Sequence, residues 1–373
     1  MRAQTKNRRF LPCGIALALL LASLALGASA QVPEPQQGSS IALPEGKANP
    51  ASTRPVFEFH SGFWINLHHF LYQQARIQEQ ESTSRGGDAA NPPSTADSAA
   101  ALPANSSQSA DWAMALDYYA KNFAHRDLLF DDGMAMINDV LAEMETCPDL
   151  SGKSSPSCAS GLRPGMIETL ERAAIVYRAR WWSEHDRINR AWIEAAAPLV
   201  RNMGGTLAGQ LAAVYHSPWP SAPIRVDVVH YGGPFGAYTT LDPTHITLSS
   251  ADPRNQGPSG FEILFHEASH ALASSVEDGI VRECHAREIP VPRDLWHALL
   301  FYTTGEIVKR AFESPLAGKP AGTAGSYTPY AYRNGLYQRG WQNYQRALET
   351  YWQPYLDGKT NFDRALVSLV AGL

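Results

Sequence analysis

Two histidines and a glutamate in the second half of the chain have a spacing that suits metal chemistry. His266, Glu267 and His270 form the pattern H-E-x-x-H. On an α-helix, residues four apart lie on one face, so His266 and His270 can direct two imidazole nitrogens at one zinc ion. Glu267 is then placed to hydrogen-bond a metal-bound water and to take its proton. The alternative is a buried helix whose histidines are satisfied by carboxylates or carbonyl groups.

The residues around this motif favour a helix. Apolar side chains flank the histidines, and neither Pro nor Gly occurs between Phe261 and Asp278. Residues 257–260, Gly-Pro-Ser-Gly, indicate a loop just upstream, with Ser259 as a candidate N-cap. We therefore predict that the motif lies on a helix that begins after Ser259.

The motif resembles that of the zincin metallopeptidases, and the resemblance extends from about Arg225 to Arg310. The metzincin form has a third His soon after the motif, but here Val276 stands at that position. The pattern is more similar to the gluzincins, in which a Glu from a second helix completes the metal site. This resemblance implies a zinc cofactor, a peptide or protein substrate, and hydrolysis by an activated water with Glu267 as the base.

The third zinc ligand is sought on a helix predicted over residues 294–310, after the helix-stopping sequence Pro-Val-Pro at 290–292. This helix holds His297 and Glu306. They are nine residues apart, hence about 180° apart around one continuous helix, and both should not face the same metal. Glu306 lies in a largely uncharged run, where a buried acid needs a partner such as a cation. We predict that Glu306 completes the site with His266 and His270.

Alternatives to this choice remain open. Three other residues are candidates for the third ligand: Glu277, Asp278 and His297. Glu306 could instead lie at the wet edge of its helix, paired with Lys309 or Arg310.

Tyrosines follow the predicted site in a loop that contains Gly and Pro. Gluzincins often use a downstream Tyr or His to hold the oxyanion of the tetrahedral intermediate. By this resemblance, Tyr327, Tyr330 and Tyr332 are candidate oxyanion stabilisers, although most rings in this aromatic tail should simply pack.

Sequence patterns typical of β-strands precede the motif. Residues 224–229 alternate and are rich in β-branched side chains, residues 231–236 indicate a turn, and residues 244–249 favour a second strand. In zincins an edge strand lies beside the active helix, and an extended substrate adds to it.

The rest of the chain is predicted to be mainly helical. Residues 111–145 and 164–215 have long helical patterns, with Gly204-Gly205 as a break or junction. His60, His68 and His69 lie in an aromatic stretch and are interpreted as core residues rather than ligands. The predicted fold is α+β, zincin-like, with a small sheet beside the motif helix.

The N-terminal region has the features of a secretory signal. Residues 1–30 combine a basic start, a short apolar core and an A-x-A cleavage site before Gln31. We interpret residues 31–54 as a flexible leader and residues 55–373 as one metallopeptidase-like domain with a disordered insertion near 80–108. The predicted location is periplasmic or extracellular, with no transmembrane segment after cleavage.

Charge and cysteines agree with export. Without its signal the chain has 27 basic and 36 acidic residues, a net charge of −9, which argues against nucleic-acid binding. Cys147 and Cys158 flank a polar loop, and an oxidising compartment favours a disulfide between them. Cys284 is left over.

These observations together predict an exported zinc-dependent metallohydrolase, most simply a peptidase. One alternative is a catalytically inactive, zincin-like envelope protein with a binding or structural role. Another is a metal hydrolase that acts on a different bond. An intact Glu267 speaks against the first alternative, because a purely structural zinc needs no base.

Overall fold

The computed structural model describes residues 56–84, 107–314 and 327–373. The predicted signal peptide (1–30) and leader (31–54) lie outside the described residues, as does most of the predicted insertion. The helices that flank the insertion are Phe63–Ser84 (α1) and Ser107–Asn122 (α2). Residues 80–84 and 107–108, at the two ends of the stretch 80–108, therefore belong to the flanking helices.

A four-stranded mixed sheet lies in the middle of the described fold. Its strands are Phe57–His60 (β1), Ile224–Val229 (β2), Ala237–Thr240 (β3) and His245–Ser249 (β4). They are ordered β1-β2-β4-β3, with β3 antiparallel to β4 and the other pairs parallel. β2 and β4 match the two predicted strands. β1 and β3 were not predicted, because four residues are too few to show a clear alternation.

Helices make up most of the remainder. Those after α2 are Asp132–Glu143 (α3), Pro164–Arg180 (α4), Trp182–Tyr215 (α5), Gly257–Ser269 (α6), Ser274–Ala286 (α7), Leu295–Glu313 (α8), Tyr330–Arg333 (α9), Gln342–Ala347 (α10), Gln353–Leu356 (α11) and Phe362–Ala371 (α12). The fold is therefore mainly helical α+β, as predicted. Among the described helices, none is both long and apolar enough to cross a bilayer.

Two predicted helical stretches differ from the structure in detail. The stretch 111–145 is divided where Asp131 caps α3 by accepting hydrogen bonds from the backbone of Gly133 and Met134. Gly204-Gly205 does not break α5, which continues through both residues. A Cβ on Gly204 would lie 2.9 Å from Val56, so this glycine permits the chain before β1 to approach the helix.

The sheet separates two hydrophobic cores. Val226 and Val228 of β2 face the first core, which is built with α5, α6, α8 and the C-terminal helices. Val229 faces the second core, formed by α1 to α4. This alternation along one strand explains how the motif helix α6 comes to lie on one face of the sheet and the aromatic helix α1 on the other.

The histidines of α1 are core residues, as interpreted from the sequence. His68 and His69 are fully buried. His68 hydrogen-bonds with the hydroxyl of Tyr119, and His69 with that of Tyr238, both at 2.8 Å.

The predicted disulfide is present. Cys147 and Cys158 are bonded, with their Cα atoms 5.5 Å apart, whereas Cys284 is free and buried. The carbonyl of Cys147 also accepts a hydrogen bond from the indole of Trp64 at 2.7 Å, which ties the loop to α1. A disulfide is compatible with an oxidising compartment.

Candidate metal centre

The H-E-x-x-H motif lies at the C-terminal end of α6. The helix begins at Gly257, with Pro258 in its first turn and Gln256 as the N-cap residue. Ser259 is therefore inside the helix and not its cap. His266 and Glu267 belong to the last turns of α6, and His270 starts a short 3₁₀ turn that continues the helical path. The two histidines thus lie one turn apart on one face, as predicted.

Three histidines converge at this end of α6. His266, His270 and His297, the last from α8, each offer a ring nitrogen within 4.8 Å of the other two. The Nε2 atoms of His266 and His297 are 3.2 Å apart. In a tetrahedral zinc site with Zn–N bonds of about 2.0–2.1 Å, two ligand nitrogens lie about 3.3 Å apart. Three imidazoles in this arrangement could hold one metal ion.

The protonation of these histidines suits metal binding. Burial holds the pKa of His266 well below its usual range, and His270 and His297 lower it further. Burial lowers the pKa of His270 to about 3 and that of His297 to about 4. All three rings are therefore neutral at physiological pH, which is the form that coordinates a metal.

Packing against Phe301 helps to orient the ring of His266. Phe301 stacks on it with ring centres 3.5 Å apart and an interplanar angle of 15°. The Nδ1 atom of His266 is buried and has no hydrogen-bond partner within the described ranges. Ligating histidines usually donate this second ring N–H to an acceptor. Here the face of Phe301 restricts the ring instead.

Glu267 lies beside the histidines and is held by the edge strand β3. The hydroxyl of Thr239 is 2.8 Å from Oε2 of Glu267, and the same Oε2 is 3.9 Å from Nε2 of His270. Glu267 is only 5% exposed. Burial raises its pKa to about 7, while the hydrogen bond from Thr239 opposes this change. A carboxylate with a pKa near neutrality can both take up and release a proton.

Glu306 does not belong to the histidine group. Its Oε1 is 3.9 Å from Nζ of Lys309, and its side chain is 15% exposed. This is the ion-pair arrangement that the sequence left as an alternative. Glu277 and Asp278, the other carboxylates considered, are exposed on α7. His297, which the sequence left as an alternative ligand, is the residue of α8 that lies with His266 and His270.

The three candidate tyrosines occupy different surroundings. The hydroxyl of Tyr327 donates a hydrogen bond to Glu262 at 2.7 Å, and that of Tyr332 donates to Glu349 at 2.8 Å. Tyr330 instead stacks on Phe301, with ring centres 5.9 Å apart and planes 14° apart. Since Phe301 covers His266, Tyr330 is the member of this set that packs on a neighbour of the histidine group.

Two functional candidates were missed from sequence. Thr239 lies on a strand too short to predict. Glu262 is an acid four residues before His266 in an otherwise apolar run, and that spacing alone places both side chains on one side of α6. This i, i+4 relation was the available signal.

Comparison of the chain with protein-family models, curated proteins and solved structures gave no match.

Proposed function

We propose that this chain is an exported zinc-dependent metallohydrolase that cleaves peptide bonds. The observation that carries the proposal is the convergence of three neutral imidazoles, two from the H-E-x-x-H motif and one from α8, next to the buried carboxylate of Glu267. His266, His270 and His297 would hold the ion. When bound, zinc acts as a Lewis acid that lowers the pKa of a water to about 7 and polarises the scissile carbonyl.

The proposed roles of the protein side chains follow from their positions. Glu267 takes a proton from the attacking water and delivers it to the leaving amine nitrogen. Thr239 holds the Glu267 carboxylate in place through its hydroxyl. Burial raises the pKa of Tyr330 to about 12, so its hydroxyl stays protonated and can donate a hydrogen bond to the developing oxyanion.

Metal analysis and hydrolysis assays of the purified chain test this proposal. We expect about one zinc ion per chain and cleavage of a mixed peptide library. Glu267→Gln keeps the shape of the side chain but cannot accept the proton, so it should retain zinc and lose nearly all hydrolysis. A wild-type chain without bound zinc, or a fully active Glu267→Gln variant, would end the proposal. A chain that binds zinc and hydrolyses esters but not peptides would favour the non-peptidase alternative.

A further inference from the structure

A buried acid on α6 has no part in the proposed chemistry. Glu262 lies one turn before His266 and is 0% exposed. Its Oε2 accepts two hydrogen bonds, from the hydroxyl of Tyr327 at 2.7 Å and from the backbone N–H of Tyr330 at 2.9 Å. Its Oε1 has no hydrogen-bond partner in the described part of the chain.

Packing alone does not explain an acid at this position. Burial raises the pKa of Glu262 to about 8, although the bonds from Tyr327 and Tyr330 oppose the rise. A buried polar atom without a partner destabilises the folded state, and an apolar side chain of the same size would avoid this penalty. The compensating feature is the pair of bonds to Oε2, and both of them come from the segment that begins at Tyr327.

The contact between this segment and α8 also depends on a single residue. A Cβ on Gly305 would lie 2.7 Å from Cβ of Pro329 and 3.1 Å from Oε1 of Glu262. Only glycine therefore lets α6, α8 and the segment 327–330 meet at this point. This close approach accounts for a glycine inside α8, where its intrinsic helix propensity is poor.

The same segment supports the rings over the metal centre. Tyr330 stacks on Phe301, and Phe301 stacks on His266. Glu262 accepts a hydrogen bond from the backbone N–H of Tyr330. Its carboxyl group therefore helps to fix the position of the Tyr330 ring at the end of this stack. Glu262 touches neither the three histidines nor Glu267 through any hydrogen bond of the described residues.

We propose that Glu262 is a positioning residue that fixes the segment Tyr327–Tyr330 and thereby holds the Tyr330 ring on Phe301, the ring that covers His266. The proposal rests on the proposed function for the role of Tyr330. Glu262 itself transfers no proton. One oxygen atom accepts both hydrogen bonds, so an amide oxygen at the same place can replace it.

A pair of substitutions at Glu262 separates positioning from proton transfer. Glu262→Met keeps a similar volume and removes both acceptors, whereas Glu262→Gln keeps an oxygen that can accept both bonds. We expect the Met variant to exchange the Tyr330 amide hydrogen at least about tenfold faster, measured by hydrogen–deuterium exchange on peptides that span this residue. Its kcat should fall about 10- to 100-fold with KM little changed, as expected for a misplaced group. Glu262→Gln should resemble the wild type in both measurements.

Two further variants complete the experiment. Gly305→Ala pushes Pro329 from the α8 side and should reproduce the faster exchange and lower kcat, which covers the case in which Glu262→Met does not fold. Tyr337→Phe is the matched control, because it removes a buried hydroxyl from the same region that has no hydrogen-bond partner among the described residues. It should leave exchange at Tyr330 unchanged.

Several results would overturn the inference. The first is a Glu262→Met variant whose Tyr330 amide exchanges as slowly as in the wild type. The second is a Glu262→Met variant with faster exchange but an unchanged kcat. The third is a Glu262→Gln variant as impaired as Glu262→Met, which would indicate proton transfer. The failure of the proposed function is a separate result. In that case the wild type hydrolyses nothing, and the exchange at Tyr330 alone decides whether Glu262 fixes the segment.

Discussion

The hydroxyl of Thr239 lies 2.8 Å from Oε2 of Glu267 and 2.9 Å from the carbonyl oxygen of the same residue. This contact joins the edge strand β3 to the motif helix α6. It fixes both the backbone and the carboxylate of the proposed base. β3 is an edge strand of the sheet, and Thr239 joins it to α6. The addition of an extended substrate to that strand stays a prediction.

Loss of this contact should affect catalysis and not metal binding. In Thr239→Val the carboxylate of Glu267 loses its donor and can rotate, so kcat should fall about tenfold or more. Zinc content should stay at the wild-type level, because Thr239 does not touch the histidines. Steady-state kinetics together with metal analysis measure both effects.

Thr239→Ser is the matched control, since it keeps the hydroxyl and removes only a methyl group. It should keep most of the activity. Equal losses in the Val and Ser variants would assign the effect to packing at β3 rather than to the hydrogen bond.

A second prediction concerns the third metal ligand. His297→Ala removes one of three converging imidazoles, so zinc affinity should fall by more than the roughly 100-fold that loss of a ligand-orienting group costs. Glu306→Gln should change zinc affinity by less than about threefold, because Glu306 faces Lys309. Competition with a chelator of known affinity measures both values. The reverse result, with Glu306→Gln losing zinc and His297→Ala keeping it, would support Glu306 as the third ligand.

The motif and its helix could be predicted from sequence because their signals are local. The spacing of His266 and His270, and the apolar residues between Phe261 and Leu272, depend only on helical geometry. The two cysteines were also predictable, since a short polar loop brings them close in any fold.

The third ligand and the supporting residues could not be fixed in the same way. The choice between His297 and Glu306 depends on how α8 is rotated against α6, which is decided by tertiary contacts such as that of Gly305 with Glu262. The position of Glu306 in a largely uncharged run favoured it as the third ligand. A long side chain, however, can bring its carboxylate to a partner at the surface. Thr239 was missed because the strand that carries it is recognisable only by its pairing with β4.

A third prediction concerns the disulfide. The bond between Cys147 and Cys158 closes a short loop, with eleven residues of sequence separation. Its removal in the double variant Cys147→Ser, Cys158→Ser should lower the free energy of unfolding by about 3 kcal/mol. Chemical denaturation measures this change, with Ser157→Ala as a control in the same loop. Zinc content should not change, since the loop packs on α1 and not on α6. Free thiols at both positions in the exported protein would contradict the assignment.

The last prediction concerns a buried ionic network on the face of the sheet opposite the metal centre. Asp227 is fully buried and accepts hydrogen bonds from Nε2 of His245 at 2.8 Å and from Arg225 at 2.6 Å. Burial raises the pKa of Asp227, but these two bonds outweigh it and leave the pKa below its usual value. Burial lowers the pKa of His245, but Asp139 and Asp227 outweigh it and leave the pKa raised.

These opposite pKa shifts define the pH range in which the Asp227–His245 pair stabilises the folded protein. A lowered folded-state pKa at Asp227 contributes stability above about pH 4, and this stability is lost as the pH falls through the folded value. A raised folded-state pKa at His245 contributes stability that is complete below about pH 6.5 and is lost as the pH rises through the folded value. The pair should therefore stabilise the protein most between about pH 4 and 6.5.

Substitution of His245 tests this window. The free energy of unfolding of the wild type should exceed that of His245→Gln by the largest amount near pH 5.5, and the difference should shrink as the pH is raised towards 8. Denaturation across the pH series, with chelator present throughout, isolates this effect from metal binding. His285→Gln is the control, because it changes an exposed histidine on α7 and should alter the free energy of unfolding only slightly. A difference for His245→Gln that grows with pH would contradict this prediction, because it would mean that His245 is neutral in the folded protein.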